Sequence, residues 1–325
     1  MIDDDDPMAT LTVPMRRVLD EQLARGWQPA GSLPVAGLRR RPTLADAALA
    51  VLQAQGRTAP ERSVHIEDLQ GPTLPAPLRV RLYRPRQSTP RAPLILYFHG
   101  GIWVDGSPEE YDATAAALAD RCGAIVASPA YRLAPEHPYP AAHEDALAAH
   151  GWLLAEAARL GGDVKRLAVV GEAAGGNLAA NVVLRARDSA VRTPSALAMI
   201  CPMIGTDTAS YSYNRTEDCR PLNKAAMRWS LHQAIDDRHW EDKRLNLGDF
   251  TLQGLPSTTI VTADIDPLMF EGKLFAHKLE SSRVPVRYRN VEGVTHGFFG
   301  LDALLPEADE AQAFVASALR DAFTG

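Results

Sequence analysis

"VVGEAAGGNLA", residues 169–179, runs from an apolar strand into a Gly-x-x-x-Gly turn, and a helix-like segment follows. Gly171 and Gly175 bracket a reversal so sharp that a larger side chain would collide within it. A strand–turn–helix of this kind projects its middle residue from the end of a sheet. The frame G-x-S-x-G, the nucleophile elbow, presents a serine there. In this chain the middle residue is Ala173, and a methyl group cannot attack a substrate. Small residues at a strand–helix turn are common, so the frame needs support from the rest of the chain.

Outward from this turn the pattern is βα. "APLILYFHGG" is a continuous apolar strand ending in glycines, "EEYDATAAALADRCG" a helix and "AIVASPAY" the next strand. The helix "PAAHEDALAAHGWLLAEAARLGG", the strand "RLAVVG", the helix "GGNLAANVVLRARD" and the strand "SALAMICPM" follow. Further on, "STTIVTADID", "MFEGKLFAHKLESS", "PVRYRNVEG" and "EADEAQAFVASALRDAF" read as strand, helix, strand, helix. Apolar strands alternating with helices predict an α/β fold: a mostly parallel sheet covered on both faces. Ahead of it, "SVHIEDL" and "LRVRLYRP" alternate polar and apolar residues, as a half-buried antiparallel pair does. The Pro- and Gly-rich "QGPTLPAP" between them reads as a turn.

Two segments fall outside this rhythm. Residues 11–56 carry apolar residues at helical spacing, with helix ends at Gly26 and Gly56. Residues 204–250 hold one clear helix, about Asn223–Ala234, and much polar irregular chain. An insertion of that length between two sheet strands often forms a lid. The expected division is a helical cap segment over 1–56, core over 57–203, a cap insertion over 204–250 and core again over 251–325.

Composition narrows the function. The chain has 325 residues, 46% hydrophobic and 23% charged, with a net charge of −6. That is enough for a large core and leaves no broad basic surface, so nucleic acid is not an expected partner. Cys122, Cys201 and Cys219 are odd in number and far apart, which suggests neither a disulfide framework nor a zinc site. Cys122 and Cys201 lie in apolar runs and read as packing residues. "MIDDDDPMATL" has neither a basic nor an apolar stretch of the secretory type, and reads as a solvated, mobile start. No run reaches membrane-spanning length. A soluble cytoplasmic protein is expected, without membrane insertion; a homodimer is left open.

Three further features lie at strand ends, where α/β folds place ligands. "YFHGGIW" supplies Gly100 and Gly101, followed by Ile102 and Trp103. Backbone N–H groups of such a loop, joined by that of Ala174, can point at a developing oxyanion. His99 reads as structural, holding the loop. "TADIDPLMFEG" offers Asp266 to orient an imidazole, with Asp264 as the fallback; a plain helix cap is the bland alternative. "VEGVTHGFFG" places His296 between Gly293 and Gly297. The order 173, 266, 296 is that of nucleophile, acid and histidine in an α/β-hydrolase.

These residues make the chain resemble the hormone-sensitive-lipase-like (family IV) esterases. The resemblance rests on His99–Trp103, on "YRLAPEHPYPAAHED" (131–145), on "GEAAGGNLA" (171–179), on "DPL" (266–268) and on "HGFFG" (296–300). It covers roughly residues 60–325. It implies a carboxylic ester hydrolase acting on short- or medium-chain esters through Ser-Asp-His and an acyl-enzyme, with no cofactor and no metal. The serine falls on Ala173, the acid on Asp266 and the base on His296. The oxyanion donors fall on Gly101, position 102 and Ala174, with Gly100 in the same loop. The chain departs from the family at Ile102, where a third glycine is usual. The N–H survives, but the side chain restricts the acyl pocket. Trp103, Glu172, Met203 and Tyr211 are the candidate substrate contacts in a mostly apolar site, with Trp229 and Leu231 as further apolar cap residues. The expected partner is a small-molecule ester, aromatic esters included.

Ala173 admits three explanations. A working esterase carries an isolated Ser-to-Ala change; a natural non-catalytic relative binds a small molecule, as plant gibberellin receptors do; or another residue is the nucleophile. The third fares worst. Cys201 and Cys219 lie in neither elbow nor loop contexts, and Glu172 would point away from the tip. The acid, the histidine and the glycines remain in place, which favours the first: a chain that binds ester but does not turn it over.

Overall fold

Continuous runs of Val, Ile, Leu and Ala suit strands buried on both faces. The computed structural model describes residues 6–74, 76–87 and 89–324. Its strands are β1 (Val64–Leu74), β2 (Ala76–Pro85), β3 (Ala92–Phe98), β4 (Ile125–Pro129), β5 (Gly162–Glu172), β6 (Ala196–Ile200), β7 (Ser257–Ile265) and β8 (Val286–Thr295). They form one sheet in the order β1-β2-β4-β3-β5-β6-β7-β8. β1–β2 and β2–β4 are antiparallel; every later pairing is parallel. β3, β4 and β6 are buried along their whole length, whereas β2 largely alternates.

The helices are α1 (Val13–Ala24), α2 (Val35–Leu38), α3 (Leu44–Ala54), α4 (Asp112–Cys122), α5 (Ala141–Leu160), α6 (Ala174–Arg187), α7 (Tyr211–Arg215), α8 (Lys224–Ala234), α9 (Met269–Ser281) and α10 (Pro306–Thr324). They divide between the two faces. Leu94, Leu96, Phe98 and Val169 share one cluster with Leu153 of α5, Leu178 of α6 and Phe275 of α9. Ile95, Tyr97 and Val170 share the other with Met15 of α1, Leu118 of α4 and Leu319 of α10. The strand period of two sends alternate side chains to opposite clusters. This is the α/β-hydrolase architecture expected from the sequence.

Differences are local. "QGPTLPAP" is mostly strand: the β1–β2 ladder resumes at Thr73↔Pro77 after a register break between Gln70 and Thr73. A bulge absorbs extra residues without ending the pairing. Pro75 lies outside the described residues. So do Met1–Asp5 of the acidic start, while Asp6 Oδ1 accepts the N–H of Met8 at 2.8 Å. Asn223 caps α8 by accepting the N–H of Ala226 at 2.9 Å. Cys122, Cys201 and Cys219 are free and buried. Among the described residues no helix is long and apolar enough to cross a membrane.

Candidate active site

β5 ends at Glu172 and α6 begins at Ala174, so Ala173 carries the whole reversal. Its φ of 53° and ψ of −121° lie in a region that only glycine enters without strain. A Cβ on Gly171 would run into the carbonyl of Gly175, and one on Gly175 into the carbonyls of Phe98 and His99. The backbone is braced from the neighbouring strand end. Ala173 N–H donates to Ile200 O at 2.8 Å, and Met203 N–H donates to Ala173 O at 3.0 Å. The sharp turn expected from the glycine spacing is therefore present, with its tip buried beneath the sheet edge.

The loop after β3 faces this tip. A Cβ on Gly100 would lie 3.1 Å from the Ala173 methyl. Gly101, Ile102 and Trp103 follow with φ of 107°, 52° and 57°, and the Gly101 carbonyl accepts the N–H groups of Val104 and Asp105, each at 3.0 Å. The N–H groups of Gly101, Ile102 and Ala174 have no hydrogen-bond partner among the described residues. Unpaired donors in a loop beside the elbow tip suit an incoming oxyanion. His99 is structural, as expected. Its Nδ1 lies 2.8 Å from Gly100 O, its ring stacks on Tyr131 at 4.2 Å, and burial pushes its pKa down to about 4.

Asp266, rather than Asp264, meets the histidine. Its Oδ2 lies 2.8 Å from His296 Nδ1, and its Oδ1 accepts the N–H of Leu268 at 2.9 Å. Asp264 is turned to Arg215, 3.4 Å away. Burial disfavours a charged His296, but the charge and hydrogen bond of Asp266, with Glu172 beyond, outweigh it and hold its pKa above 6.5. His296 Nε2 takes no partner among the described residues, and the ring lines a cavity. An imidazole held this way can accept a proton at Nε2 while the carboxylate steadies the resulting cation.

Two neighbours bear on this pair. Glu172 is 3% exposed, takes a 3.1 Å hydrogen bond from Tyr97 Oη and reaches the cavity; burial pushes its pKa up to about 7. Cys201, read from sequence as a packing residue, is buried, yet its Sγ, an Asp266 oxygen and a His296 nitrogen lie within 4.8 Å of one another. Burial, then the charges of Asp266 and Glu172, push its thiol well up, so it stays protonated. The signal for this placement was parallel adjacency: Cys201 follows β6, whose last carbonyl braces the elbow.

The cavity holds about 180 Å³. Segments 22–45 and 221–230 both line it, and Gly31 lies against the Trp229 ring, joining the two. Ile102 is among the residues that line it. Three expected contacts do not. Trp103 is buried with its ring against His143, because consecutive residues of the left-handed turn project to different sides. Met203 is fully buried and braces the elbow through its backbone. Tyr211 is 62% exposed at the start of α7, whose Ser212 and Tyr213 take the buried positions. Leu231 belongs to the core, and the apolar wall comes instead from Leu38, Leu222 and Ala226. The lining is apolar for the larger part, and Arg41, Asp105, Glu110, Tyr111 and Glu172 give it a charged and polar side.

Comparison with known proteins agrees with this fold. A family model described as the alpha/beta hydrolase fold matches residues 95–300, and the chain belongs to that family. The carboxylesterase NlhH of Mycobacterium tuberculosis is 36% identical over 250 residues, 75% of this chain and 78% of that one. An ethyl acetate hydrolase of Pseudomonas putida is 36% identical over 258 residues, 77% of this chain and 79% of that one. Among solved structures, a Ser-to-Ala mutant of LAE6, an alpha/beta hydrolase enzyme from the metagenome of Lake Arreo, superposes with a TM-score of 0.84. It is 32% identical, with 98% of this chain and all of that one covered.

Proposed function

We propose that the chain is a carboxylic ester hydrolase of the hormone-sensitive-lipase-like group whose nucleophilic serine is replaced by Ala173. The observation that carries the reading is the His296–Asp266 pair, 2.8 Å apart, beside a strained elbow tip facing unpaired N–H groups. Its esterase relatives support the same chemistry. With serine at 173, the hydroxyl attacks the ester carbonyl and His296 Nε2 takes its proton. Asp266 fixes the imidazole tautomer, and the N–H groups of Gly101, Ile102 and Ala174 hold the oxyanion. His296 then returns the proton to the leaving alcohol, and water releases the acyl group by the same route. Ile102 in the wall favours short or medium acyl chains, or compact aromatic ones. The segments 1–56 and 204–250 act together as the cap, and the buried free cysteines suit the cytoplasm.

The chain as it stands binds ester without turning it over. Ala173→Ser raises hydrolysis of a short p-nitrophenyl ester by at least roughly a thousandfold, since little residual catalysis survives without the nucleophile. His296→Ala in that background removes the gain. No gain on restoring serine would overturn the esterase reading and favour a non-catalytic binding protein.

A further inference from the structure

The charged side of the cavity is not needed to cleave an ester, and its charges do not balance. Arg41, Asp105, Glu110 and Glu172 reach it besides His296. Arg39 also lines it, but its guanidinium is used up by Val104 O, Ala134 O and the Glu136 carboxylate. Arg41 is committed too. It lies 5.8 Å from the Trp27 ring centroid, donates to Gln28 O at 3.2 Å and sits 3.6 Å from Asp105.

The carboxyls are less well satisfied. Glu109 and Asp112, either side of Glu110 in the chain, are drawn away by Arg79 and Arg81, and Tyr83 Oη also donates to Asp112. Glu110 is left on the cavity wall, half-buried, with no side-chain hydrogen-bond partner among the described residues. Glu172 is nine-tenths buried or more and shows one oxygen to Tyr97; its Oε1 has no partner among the described residues. Three carboxyls thus share one cavity with two guanidiniums, of which Arg39 is already paired with Glu136.

We propose that this arrangement makes the pocket select esters whose alcohol or acyl part carries a protonated amine, with Glu110 as the contact and Asp105 and Glu172 adding to the field. The inference rests on the esterase reading for the word ester, and on the charge pattern alone for the word amine. An ammonium would supply the missing donor to Glu110 and relieve the repulsion among the carboxyls. A carboxylate on the substrate would meet Arg41 only by displacing Asp105, and would add a fourth negative group.

A proton equilibrium accompanies this. Burial pushes Glu110 up to about 7, helped by Asp105, Asp46 and Glu109 and opposed by Arg41. Glu172 faces Tyr97, Tyr111, Cys201 and His296, and burial raises it to a similar value. An arriving cation favours the ionised carboxyls, so its binding releases protons, and its advantage shrinks as pH falls through that range.

Calorimetry on the chain with Ala173 tests the idea without hydrolysis. The probes are 2-(dimethylamino)ethyl acetate, its neutral isostere 3-methylbutyl acetate, and monoethyl succinate as the anion. At about pH 7 the amine binds roughly tenfold tighter than the isostere, and Glu110→Gln removes most of that ratio. Equal binding of amine and isostere overturns the proposal, as does preference for the succinate or an undiminished ratio in Glu110→Gln. The comparison on the unaltered chain needs no variant to fold. A silent Ala173→Ser protein that still prefers the amine separates failure of the esterase reading from failure of the subsite.

Discussion

Ala173 holds a conformation that alanine tolerates poorly. One carbonyl of β6 and one N–H of the following segment hold it, and Gly171 and Gly175 on either side have no room for a side chain. Strain of this kind amounts to roughly 1–3 kcal/mol. Ala173→Gly therefore stabilises the fold by about 1 kcal/mol after the entropy of a more flexible unfolded chain is subtracted, read as a higher urea midpoint. An unchanged or lower midpoint would show that the tip is not strained. At this scale the sequence was legible wherever chemistry is tied to a local motif. Asp266 and His296 each follow a strand and precede a turn whose glycine or proline marks it. Glu110, Arg41 and Cys201 were not legible, because nothing in the one-dimensional spacing tells which side of a loop faces a cavity. Trp103 failed for the same reason in the opposite direction.

Among the elements, the side-chain hydrogen bonds that join the N-terminal segment to the loop after β3 come from Arg39. Arg39, just past α2, donates to Val104 O at 2.8 Å and Ala134 O at 2.7 Å and forks onto Glu136. The ion pair is largely solvated on the Glu136 side and adds little. The two carbonyl bonds matter more, because they would otherwise lack partners at a half-buried join. Arg39→Ala lowers stability by about 1–3 kcal/mol and loosens residues 27–45 first. Hydrogen exchange that rises there while the sheet stays protected would bear this out; a uniform rise would count against it. Long helices were readable from period and caps, as the Asn223 cap of α8 illustrates. The one-turn helices α2 and α7 were not, since four or five residues carry no period. The bulged ladder of β1 and β2 defeated the reading of Gly and Pro as a turn, because pairing with a neighbour outweighed local preference.

In the whole molecule, parallel strands whose ends converge bring residues 173, 266 and 296 to one edge of the sheet, and the βα rhythm announced this before any distance was known. The converged site also couples to global stability. His296 has a pKa raised above 6.5 in the fold, so its contribution is fully present below that value and is lost as pH rises through the folded one. In Asp266→Asn, burial acts with only Glu172 against it, the folded pKa falls, and the slope reverses: stability is lost as pH drops. Urea midpoints measured from about pH 5 to about pH 9 read the sign directly. Parallel profiles for the two proteins would exclude the coupling. The same edge joins the two ends of the chain. Thr12 N–H donates to Gly293 O at 2.9 Å, and Thr295 Oγ1 approaches the sulfur of Met15, 280 residues away. During synthesis the opening helices have no strand β8 to pack on for roughly a quarter of a minute to a minute, at ribosomal rates of about 5–20 residues per second. That part of the cavity wall is made long before the strand that holds it in place.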